Sequence, residues 1–575
     1  MKRLIFSLLA TLCCVQFAQA QKVPVQEITL DNGMHVLLVQ RKGDPNVAAG
    51  WIAHVGSVNE RPGITGISHL FEHMMFKGTR VIGTKDIDAN LKVIDEMDSV
   101  RAKIQKEDQA LIRRQQLGEI ADAKDPKNRT AHYTELLTQF NDLTKREREL
   151  MVKDELDKIY TNAGASGMNA TTSNDFTLYF INVPANKLEL WFWMESDRLL
   201  NPVFREFYSE RDVVHEERRL RTDSTPTGRF NEEFEAMFWQ SSPYSWPVVG
   251  WSSDLEGITR DEAKQYFNVN YAPNNLTACL VGDFDPANAV ALSKKYFGRI
   301  PHGANDPQPV RTQEEKQLAE KRMTAYADTT PTVRIRYHTV PDGNTDDYAL
   351  NILANILNGR TGRLYKSLVV EKGVANSAFA NQNGRKYEGY FEFGGVAKAG
   401  HTPEEVEQAI YRELEKIQKE LVGVDELQKI KNQNAAADVR RLQSNFGLMF
   451  QLLVRDNLRG WETIDTDSAK LQGVTVEDIR RVANKYFTSE NRNVAIYYTK
   501  QSAENDPLLN GLSEREKTMV RGFKTRLAQM NAEQVKQNLE RLDQQGGTAP
   551  PEMQNAMKVM RKLLEDRLKQ LEGGK

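Results

Sequence analysis

Residues 69–73 of the chain are His69-Leu70-Phe71-Glu72-His73, within the longer segment GISHLFEHMMFKGT (66–79). On an α-helix, residues i and i+4 lie on the same face, so both imidazoles can reach one metal ion. Glu72 lies beside the metal's open position, where it can accept a proton from a zinc-bound water. With only 9 histidines in the chain, a chance match to HxxEH has a probability on the order of 1%. The pattern predicts two zinc ligands, His69 and His73, and a general base, Glu72.

A catalytic zinc site also needs a third protein ligand and an open position. The segment 210–217 (ERDVVHEE) offers two candidates. Glu210 and Glu217 are two helical turns apart and share a face, whereas Glu216 points about 100° away from Glu217. One of the pair can bind the metal while the other hydrogen-bonds a ligand histidine. Spacing alone leaves open which does which, and without the HxxEH motif a charged surface helix would be the preferred interpretation.

The first 20 residues have the pattern of a secretory signal peptide. Lys2 and Arg3 precede a mostly apolar stretch over 4–18, and Ala18-Gln19-Ala20 is an A-x-A cleavage site. The apolar stretch is shorter than the ~20 residues that a membrane span needs, which makes an anchor the less favoured alternative. No later stretch is long and apolar enough to cross a bilayer. We therefore expect cleavage before Gln21 and a periplasmic or secreted protein without a transmembrane span.

Composition narrows the classes of function. The length of 575 residues predicts three or four domain-sized units. The formal net charge of −2 argues against a nucleic-acid partner. Once the signal peptide is removed, Cys279 is the only cysteine left, which excludes an internal disulfide and a multi-cysteine zinc site. Any metal must rely mainly on His, Asp and Glu.

The mature chain begins with an α+β pattern. The turn Asn32-Gly33 between apolar stretches at 25–30 and 34–39 predicts a β-hairpin. A further strand is expected over 47–55 and a helix over about 66–76. Mixed α/β character returns after residue 163. The catalytic domain is expected over 21–300.

A densely charged segment interrupts this domain over about 89–160. It has almost no Gly or Pro, and its apolar residues keep a three-four spacing on both sides of Pro126. The spacing predicts an antiparallel helical hairpin with its tip near Pro126. Its charges are expected to form a solvated face, and docking of a partner is the alternative.

The second half of the chain repeats part of the first. Thr259 is followed after twelve residues by Tyr271 and then by an apolar strand, and Thr475 is followed in the same way by Phe487. The simplest interpretation is two copies of one α+β domain, although chance similarity of two short segments is an alternative. A Pro-containing linker is expected over 301–323, the second domain over 324–500, and a helical extension over 501–575.

The chain resembles the insulinase/pitrilysin (M16) metallopeptidases, and is most similar to the two-domain bacterial members that resemble mitochondrial processing peptidase. The resemblance covers residues 23–498. Its motifs are Leu30-Asp31-Asn32-Gly33, the segment 66–79, Met168-Asn169-Ala170-Thr171-Thr172, the segment 210–217, Ser242-Pro243-Tyr244 with Gly250, and Gly362-Arg363-Leu364-Tyr365.

This resemblance implies a fold and a site. The fold is α+β, with two homologous domains that each have a mixed or antiparallel sheet with helices on one face, and that together form one half of a clamshell. Glu217 would be the third ligand of one zinc ion per chain, and Glu210 would support the site. Asn169 and Ala170 would lie on a sheet edge to which an extended substrate adds as a strand. Two such chains would enclose a chamber for peptides or unfolded segments.

Two features depart from the family pattern. His73 and Glu217 are 144 residues apart (217 − 73), and the helical hairpin accounts for the excess. The Arg and Tyr that help family members bind substrate are replaced by Val369 and Asn376. Because some members divide the zinc motif and this pair between two subunits, we expect a dimer, with a heterodimer as one form of it.

These patterns together predict a zinc-dependent endopeptidase. One rival is a non-catalytic scaffold or chaperone-type subunit of the same fold. Another is a zinc hydrolase that acts on a non-peptide bond. Retention of His69, Glu72, His73 and Glu217 disfavours the scaffold, and nothing in the sequence favours the second rival.

Overall fold

The computed structural model describes residues 22–499 without a gap, and then 507–509, 511–513, 516–517, 519–520, 523, 527, 530–545 and 551–572. The signal peptide expected over residues 1–20 lies outside the described residues. The chain forms two compact units, one of which holds the described residues up to Ala325 together with Pro331–Tyr497. The other holds Tyr326–Thr330 and the described residues from Tyr498 onward. No helix within these ranges combines the length and the apolar character needed to cross a membrane.

The first β-sheet has six strands. They are Gln26–Thr29 (β1), His35–Gln40 (β2), Asn46–Ala53 (β3), Ser166–Thr172 (β4), Thr177–Pro184 (β5) and Leu276–Gly282 (β6). Their order in the sheet is β1-β2-β6-β3-β5-β4, so β4 forms one edge. Only the β2–β6 pair is parallel among these neighbours. The predicted turn at Gly33, with φ of +87°, joins β1 to β2.

The second β-sheet repeats this arrangement. Its strands are Lys321–Ala327 (β7), Thr332–Thr339 (β8), Ala375–Gly384 (β9), Gly389–Ala397 (β10) and Arg492–Thr499 (β11). Their order, β7-β11-β8-β10-β9, is the order of β2-β6-β3-β5-β4 strand for strand. Thr259 and Thr475 both cap the helix that precedes the corresponding strand, β6 or β11. The predicted α+β class with two copies of one fold is confirmed.

The described residues up to 300 form ten α-helices. They are Ile67–Met74 (α1), Ile87–Gln116 (α2), Ala131–Leu150 (α3), Glu155–Asn162 (α4), Leu188–Leu200 (α5), Phe207–Arg218 (α6), Gly228–Phe238 (α7), Ser252–Gly257 (α8), Arg260–Asn270 (α9) and Pro286–Tyr296 (α10). Helices α2 and α3 are the two arms of the helical hairpin, and Pro126 lies in the connection between them. Apolar side chains between the arms, including Ile104 and Leu136, are buried.

Eight more described helices follow the connection at 301–320. They are Thr345–Leu357 (α11), Pro403–Lys419 (α12), Val424–Gln443 (α13), Asn445–Arg459 (α14), Asp467–Gly473 (α15), Val476–Tyr486 (α16), Ala532–Gln545 (α17) and Pro551–Glu572 (α18). Tyr365–Glu371 forms a π-helix. Helices α17 and α18 belong to the second unit and contribute Val535 and Leu564 to a small apolar cluster there.

The first unit has two halves, one around each sheet. One helix of each half packs against the sheet of the other half. Leu448 and Met449 of α14 belong to the same buried cluster as Cys279 of the first sheet. In the opposite direction, Phe238 of α7 stacks on His338 of the second sheet, with ring centroids 3.9 Å apart. Each fully buried side chain of this size contributes about 1.5–3 kcal/mol. The two halves are therefore joined by a core rather than by a linker alone.

Candidate metal centre

Helix α1 carries the HxxEH motif and has a constrained start. Gly66, which precedes it, has φ of +88°, and a Cβ there would lie 2.5 Å from the Val249 carbonyl oxygen. Only glycine meets both conditions. The Glu60 carboxyl group accepts hydrogen bonds from the backbone N–H groups of Gly66 (2.7 Å) and Ser68 (2.8 Å). Burial raises the pKa of Glu60 to about 8.

Buried aromatic packing fixes the rotation of α1. Phe71 is fully buried and stacks on Tyr266, with ring centroids 5.7 Å apart. The Tyr179 hydroxyl donates to the Phe71 carbonyl oxygen from strand β5 (3.0 Å). With Phe71 held on the inner side, the helix presents His69 and His73 to α6.

His69, His73 and Glu217 converge between α1 and α6. The Nε2 atom of His69 lies 3.7 Å from one Glu217 carboxylate oxygen, and the Nε2 atom of His73 lies 3.5 Å from the other. Each of the three residues offers one ligand atom, and these three atoms all lie within 4.8 Å of one another. Ligand atoms around a tetrahedral zinc ion are about 3.4 Å apart, given bonds of about 2.0–2.1 Å. Two imidazole nitrogens and a carboxylate at these separations fit a zinc ion.

Glu210 occupies a different position on the same helix. One of its carboxylate oxygens lies 3.4 Å from the Nδ1 atom of His73, and the other accepts a hydrogen bond from the Lys77 ammonium group (2.5 Å). Burial raises the pKa of Glu210, but His73 and Lys77 outweigh it and hold that pKa below its ordinary value. Burial likewise lowers the pKa of His73, and Glu210 reverses the shift. The geometry thus favours Glu217 as the ligand and Glu210 as the group that orients His73.

The Glu72 carboxylate is held in place by a residue of the first sheet. The Thr172 hydroxyl, at the end of β4, donates to a Glu72 carboxylate oxygen (2.6 Å). This contact fixes the carboxylate next to the two histidines of the same helix. A carboxylate that retains free lone pairs beside a metal-ligating pair can accept a proton from water.

Asn169 and Ala170 lie on β4, at the edge of the first sheet. Their inner neighbours are Phe180 and Tyr179 of β5. The Asn169 side-chain oxygen accepts a hydrogen bond from the Ala170 backbone N–H (2.9 Å). An edge strand offers unpaired backbone groups to another chain. Here one of these groups is already occupied by a side chain of the same strand.

Three contacts of the site were not predicted. Lys77 bonds Glu210, Thr172 bonds Glu72, and Arg221 lies 2.6 Å from a Glu217 carboxylate oxygen. Arg221 follows Glu217 by four residues, a helical spacing that could have indicated the pair. Thr172 is 100 residues from Glu72, so only the tertiary fold reveals that contact.

The two positions at which the Arg and Tyr of the family pattern are replaced lie at the edge of the second half's fold. Val369 lies in the π-helix Tyr365–Glu371 and is partly exposed. Asn376 is exposed near the start of β9, which is the edge strand of the second sheet. Neither position carries a cation or a phenol.

Comparison with known proteins gives consistent matches. The model for "Insulinase (Peptidase family M16)" matches residues 35–110, and that for "Peptidase M16 inactive domain" matches residues 257–434. The zinc protease PqqE of Helicobacter pylori is 27% identical over 490 residues, which are 84% of this chain and 94% of that protein.

Solved structures share the fold. The crystal structure of a protease from Helicobacter pylori superposes with a TM-score of 0.67 and 24% identity, covering 83% of this chain and 99% of that one. The first half of the periplasmic protease PqqL from Escherichia coli superposes with a TM-score of 0.60 and 16% identity, covering 84% and 93%. Both matches cover more than four fifths of this chain.

Proposed function

The chain belongs to the M16 family of peptidases, and we propose that it is a zinc-dependent endopeptidase that hydrolyses peptides or unfolded polypeptide segments. The convergence of His69, His73 and Glu217 within 4.8 Å carries this proposal. The relatives named zinc proteases support the metal and the reaction class. The match to an inactive domain covers residues 257–434, after all four residues of the proposed centre.

The proposed residues have distinct roles. His69, His73 and Glu217 would hold one zinc ion per chain. The bound ion would supply Lewis-acid polarisation of the scissile carbonyl and of the attacking water. Glu72 accepts the proton of that water and returns it to the leaving amine. Thr172 keeps the Glu72 carboxylate in place, and Glu210 orients the His73 ring through its Nδ1 atom.

The edge strand β4 is the proposed substrate site. An extended peptide would add alongside Asn169 and Ala170, and its backbone would supply most of the hydrogen bonds. Such binding selects extended segments over folded proteins and gives weak sequence preference. Because the Asn169 side chain occupies the Ala170 N–H, it must rotate away if the substrate is to bond that group.

Assembly and location are parts of the same proposal. Since Val369 and Asn376 replace the Arg and Tyr of the family pattern, we propose a dimer, and specifically a heterodimer with an M16-like subunit that carries the pair. A homo-oligomer that reaches full activity on its natural substrate would count against the heterodimer. We place the protein in the periplasm or outside the cell. PqqL of Escherichia coli, which shares the fold, is named a periplasmic protease. Mature protein that begins at Gln21 is the expected product of export.

The test is cleavage of an unstructured peptide of about 20–30 residues, long enough to lie along a sheet edge. We expect cleavage that a chelator abolishes and added zinc restores. A matched panel of ester and non-peptide amide substrates should stay intact. Cleavage of that panel alone would favour another zinc hydrolase. Bound zinc without any cleavage, alone or with an M16-like partner, would favour a scaffold.

A further inference from the structure

The base of the helical hairpin lies directly after the motif helix. Its two ends are joined by backbone hydrogen bonds from Lys85 to Leu150 (2.8 Å) and from Val152 to Gly83 (3.2 Å). The hairpin, formed by α2 and α3, therefore leaves and re-enters the fold at one place. That place follows the HxxEH helix α1 by about ten residues.

Both arms of the hairpin hold the start of the ligand helix α6. Arg205 and Glu206 immediately precede α6. The Arg205 guanidinium donates to the Asn90 side-chain oxygen of α2 (2.7 Å), and the Glu206 backbone N–H donates to the Glu147 carboxyl group of α3 (3.0 Å). Asn90 and Glu147 are completely buried. Consecutive residues are thus tied to opposite arms.

Glu206 has an unusual backbone conformation. Its φ of +52° is one of two positive values at non-glycine residues, Asp154 being the other, in the described part of the chain. Such a conformation costs about 1 kcal/mol or more and persists only where the surroundings enforce it. The hydrogen bond from its N–H to Glu147 is one of the contacts that enforce it here.

A continuous series of polar contacts leads from Glu206 to the proposed centre. The Glu206 carboxylate accepts from the Lys77 ammonium group (3.2 Å), and Lys77 also donates to Glu210 (2.5 Å). Glu210 in turn lies 3.4 Å from the Nδ1 atom of His73. The hairpin is therefore linked through named side chains to a proposed ligand.

The hairpin reaches α6 at two more points, one direct and one through Glu256. The Tyr208 hydroxyl donates to Asp98 of α2 (2.9 Å). Near the hairpin tip, Lys124 donates to Glu256 (2.6 Å), and Glu256 lies 3.4 Å from His215, two residues before Glu217. The direct contacts of the hairpin therefore hold the start of α6, and the series through Glu256 reaches the part of α6 near Glu217.

We propose that the helical hairpin positions the ligand helix α6, and that Glu147 is the positioning residue through which it fixes Glu206 and, with it, Glu210 and Glu217. The inference rests on the proposed function, because it assigns the hairpin a role in a metal site. Ligand atoms must be placed to within about 0.5 Å for tight binding. An unsupported start of α6 would lose that accuracy without unfolding the domain.

The experiment compares Glu147→Ala with Glu147→Gln in the mature chain, residues 21–575. The amide oxygen of Gln can accept the same backbone N–H, and the second Glu147 oxygen has no hydrogen-bond partner among the described residues. Burial also raises the pKa of Glu147, which favours the uncharged form that Gln imitates. Zinc affinity is measured by competition with a chelator. We expect Glu147→Ala to weaken it about tenfold or more, and Glu147→Gln to stay within about threefold of wild type.

Two further measurements distinguish a local change at the start of α6 from a general loss of structure. Amide hydrogen exchange of the metal-free protein should accelerate at the start of α6, residues 207–211, in Glu147→Ala only. Tyr133→Phe removes a hydrogen bond to Asp108 between the two arms (2.5 Å) and serves as the control, with unchanged zinc affinity. Should Glu147→Ala fail to fold, Glu147→Asp withdraws the acceptor by one methylene and should weaken zinc binding several-fold.

Wild-type zinc affinity in a folded Glu147→Ala would overturn the inference, and so would equal losses in the Ala and Gln variants. A wild-type chain that binds no zinc at all would instead overturn the proposed function. The two failures are therefore distinguishable.

Discussion

Glu210 faces the side of the His73 ring that Glu217 does not reach. Its carboxylate oxygen lies 3.4 Å from Nδ1, whereas Glu217 lies 3.5 Å from Nε2. Two carboxylates seven residues apart therefore contact opposite nitrogens of one imidazole. This arrangement separates a group that can share a metal with His73 from a group that can orient its ring.

The two carboxylates should differ in their effect on zinc binding. We expect Glu217→Ala to abolish measurable binding at micromolar zinc, because it leaves only two protein ligands. Glu210→Ala should weaken binding by about 10–100-fold, as loss of a group that orients a ligand does. Chelator competition with each purified variant measures both effects. Equal loss in the two variants would contradict the division of roles.

Thr172 should matter for catalysis but not for metal content. Thr172→Val removes the donor to Glu72 at nearly constant volume, and a hydrogen bond to a charged group is worth about 1.5–3 kcal/mol. We expect kcat/KM for peptide cleavage to fall about tenfold or more, with one zinc still bound. Thr144→Val, which removes a hydroxyl bond to Phe140 within the hairpin, is the matched control and should retain activity. Normal activity in Thr172→Val would show that Glu72 needs no such support.

Gly66 should resist substitution. An alanine there must adopt φ near +88° and place Cβ 2.5 Å from the Val249 carbonyl oxygen. We expect Gly66→Ala to lower the free energy of unfolding by about 1–3 kcal/mol or more, as measured by urea denaturation. Gly257, at the end of α8, has no atom within 4 Å of an added Cβ. Gly257→Ala should therefore be close to neutral, and a neutral Gly66→Ala would contradict the close approach.

We expect low pH to destabilise the contact between α7 and the second sheet, which joins the two halves of the first unit. Burial raises the pKa of Glu235, but Arg336 and Arg385 outweigh it and lower that pKa to about 2. A carboxyl group whose folded pKa lies below its ordinary value stabilises the protein above that ordinary value, and the stabilisation is lost as pH falls towards the folded pKa. The contribution is about 3 kcal/mol from a shift of this size.

The corresponding measurement is the free energy of unfolding between pH 6 and pH 2, with Glu235→Gln alongside. We expect the wild type to lose stability more steeply than the variant below pH about 4.5. If the curves of the wild type and the variant are parallel, Arg336 and Arg385 do not lower the pKa of Glu235. Because positive and negative groups both lie at this contact, the same measurement at high salt is a useful second condition, since salt screens their attraction.

The sequence predicted the parts of the fold that local pattern determines. The turn at Gly33, the helix around His69 and His73, and the two arms on either side of Pro126 follow from φ preference and apolar spacing. The exchange of α7 and α14 between the two sheets was not predicted. Met449 and Cys279 belong to one buried cluster although 170 residues separate them (449 − 279), and no local pattern encodes such a pairing.

For the site too, the sequence predicted what local patterns determine and missed what depends on tertiary contacts. His69, Glu72, His73, Glu210 and Glu217 follow from two short motifs on helices. Spacing could not choose between Glu210 and Glu217, because both share a face, and the tertiary contacts to Nε2 and Nδ1 of His73 now favour one assignment. Thr172 and Glu147 act across long sequence separations, so their contacts depend on the fold itself.

The most direct test of the proposed peptidase compares the mature chain with Glu72→Gln. Both proteins are assayed for bound zinc and for cleavage of an unstructured peptide. We predict about one zinc ion per chain in each, since Glu72 is not a ligand, and chelator-sensitive cleavage by the wild type only. Equal cleavage by the two proteins, or a wild type that binds no zinc, would contradict the proposal.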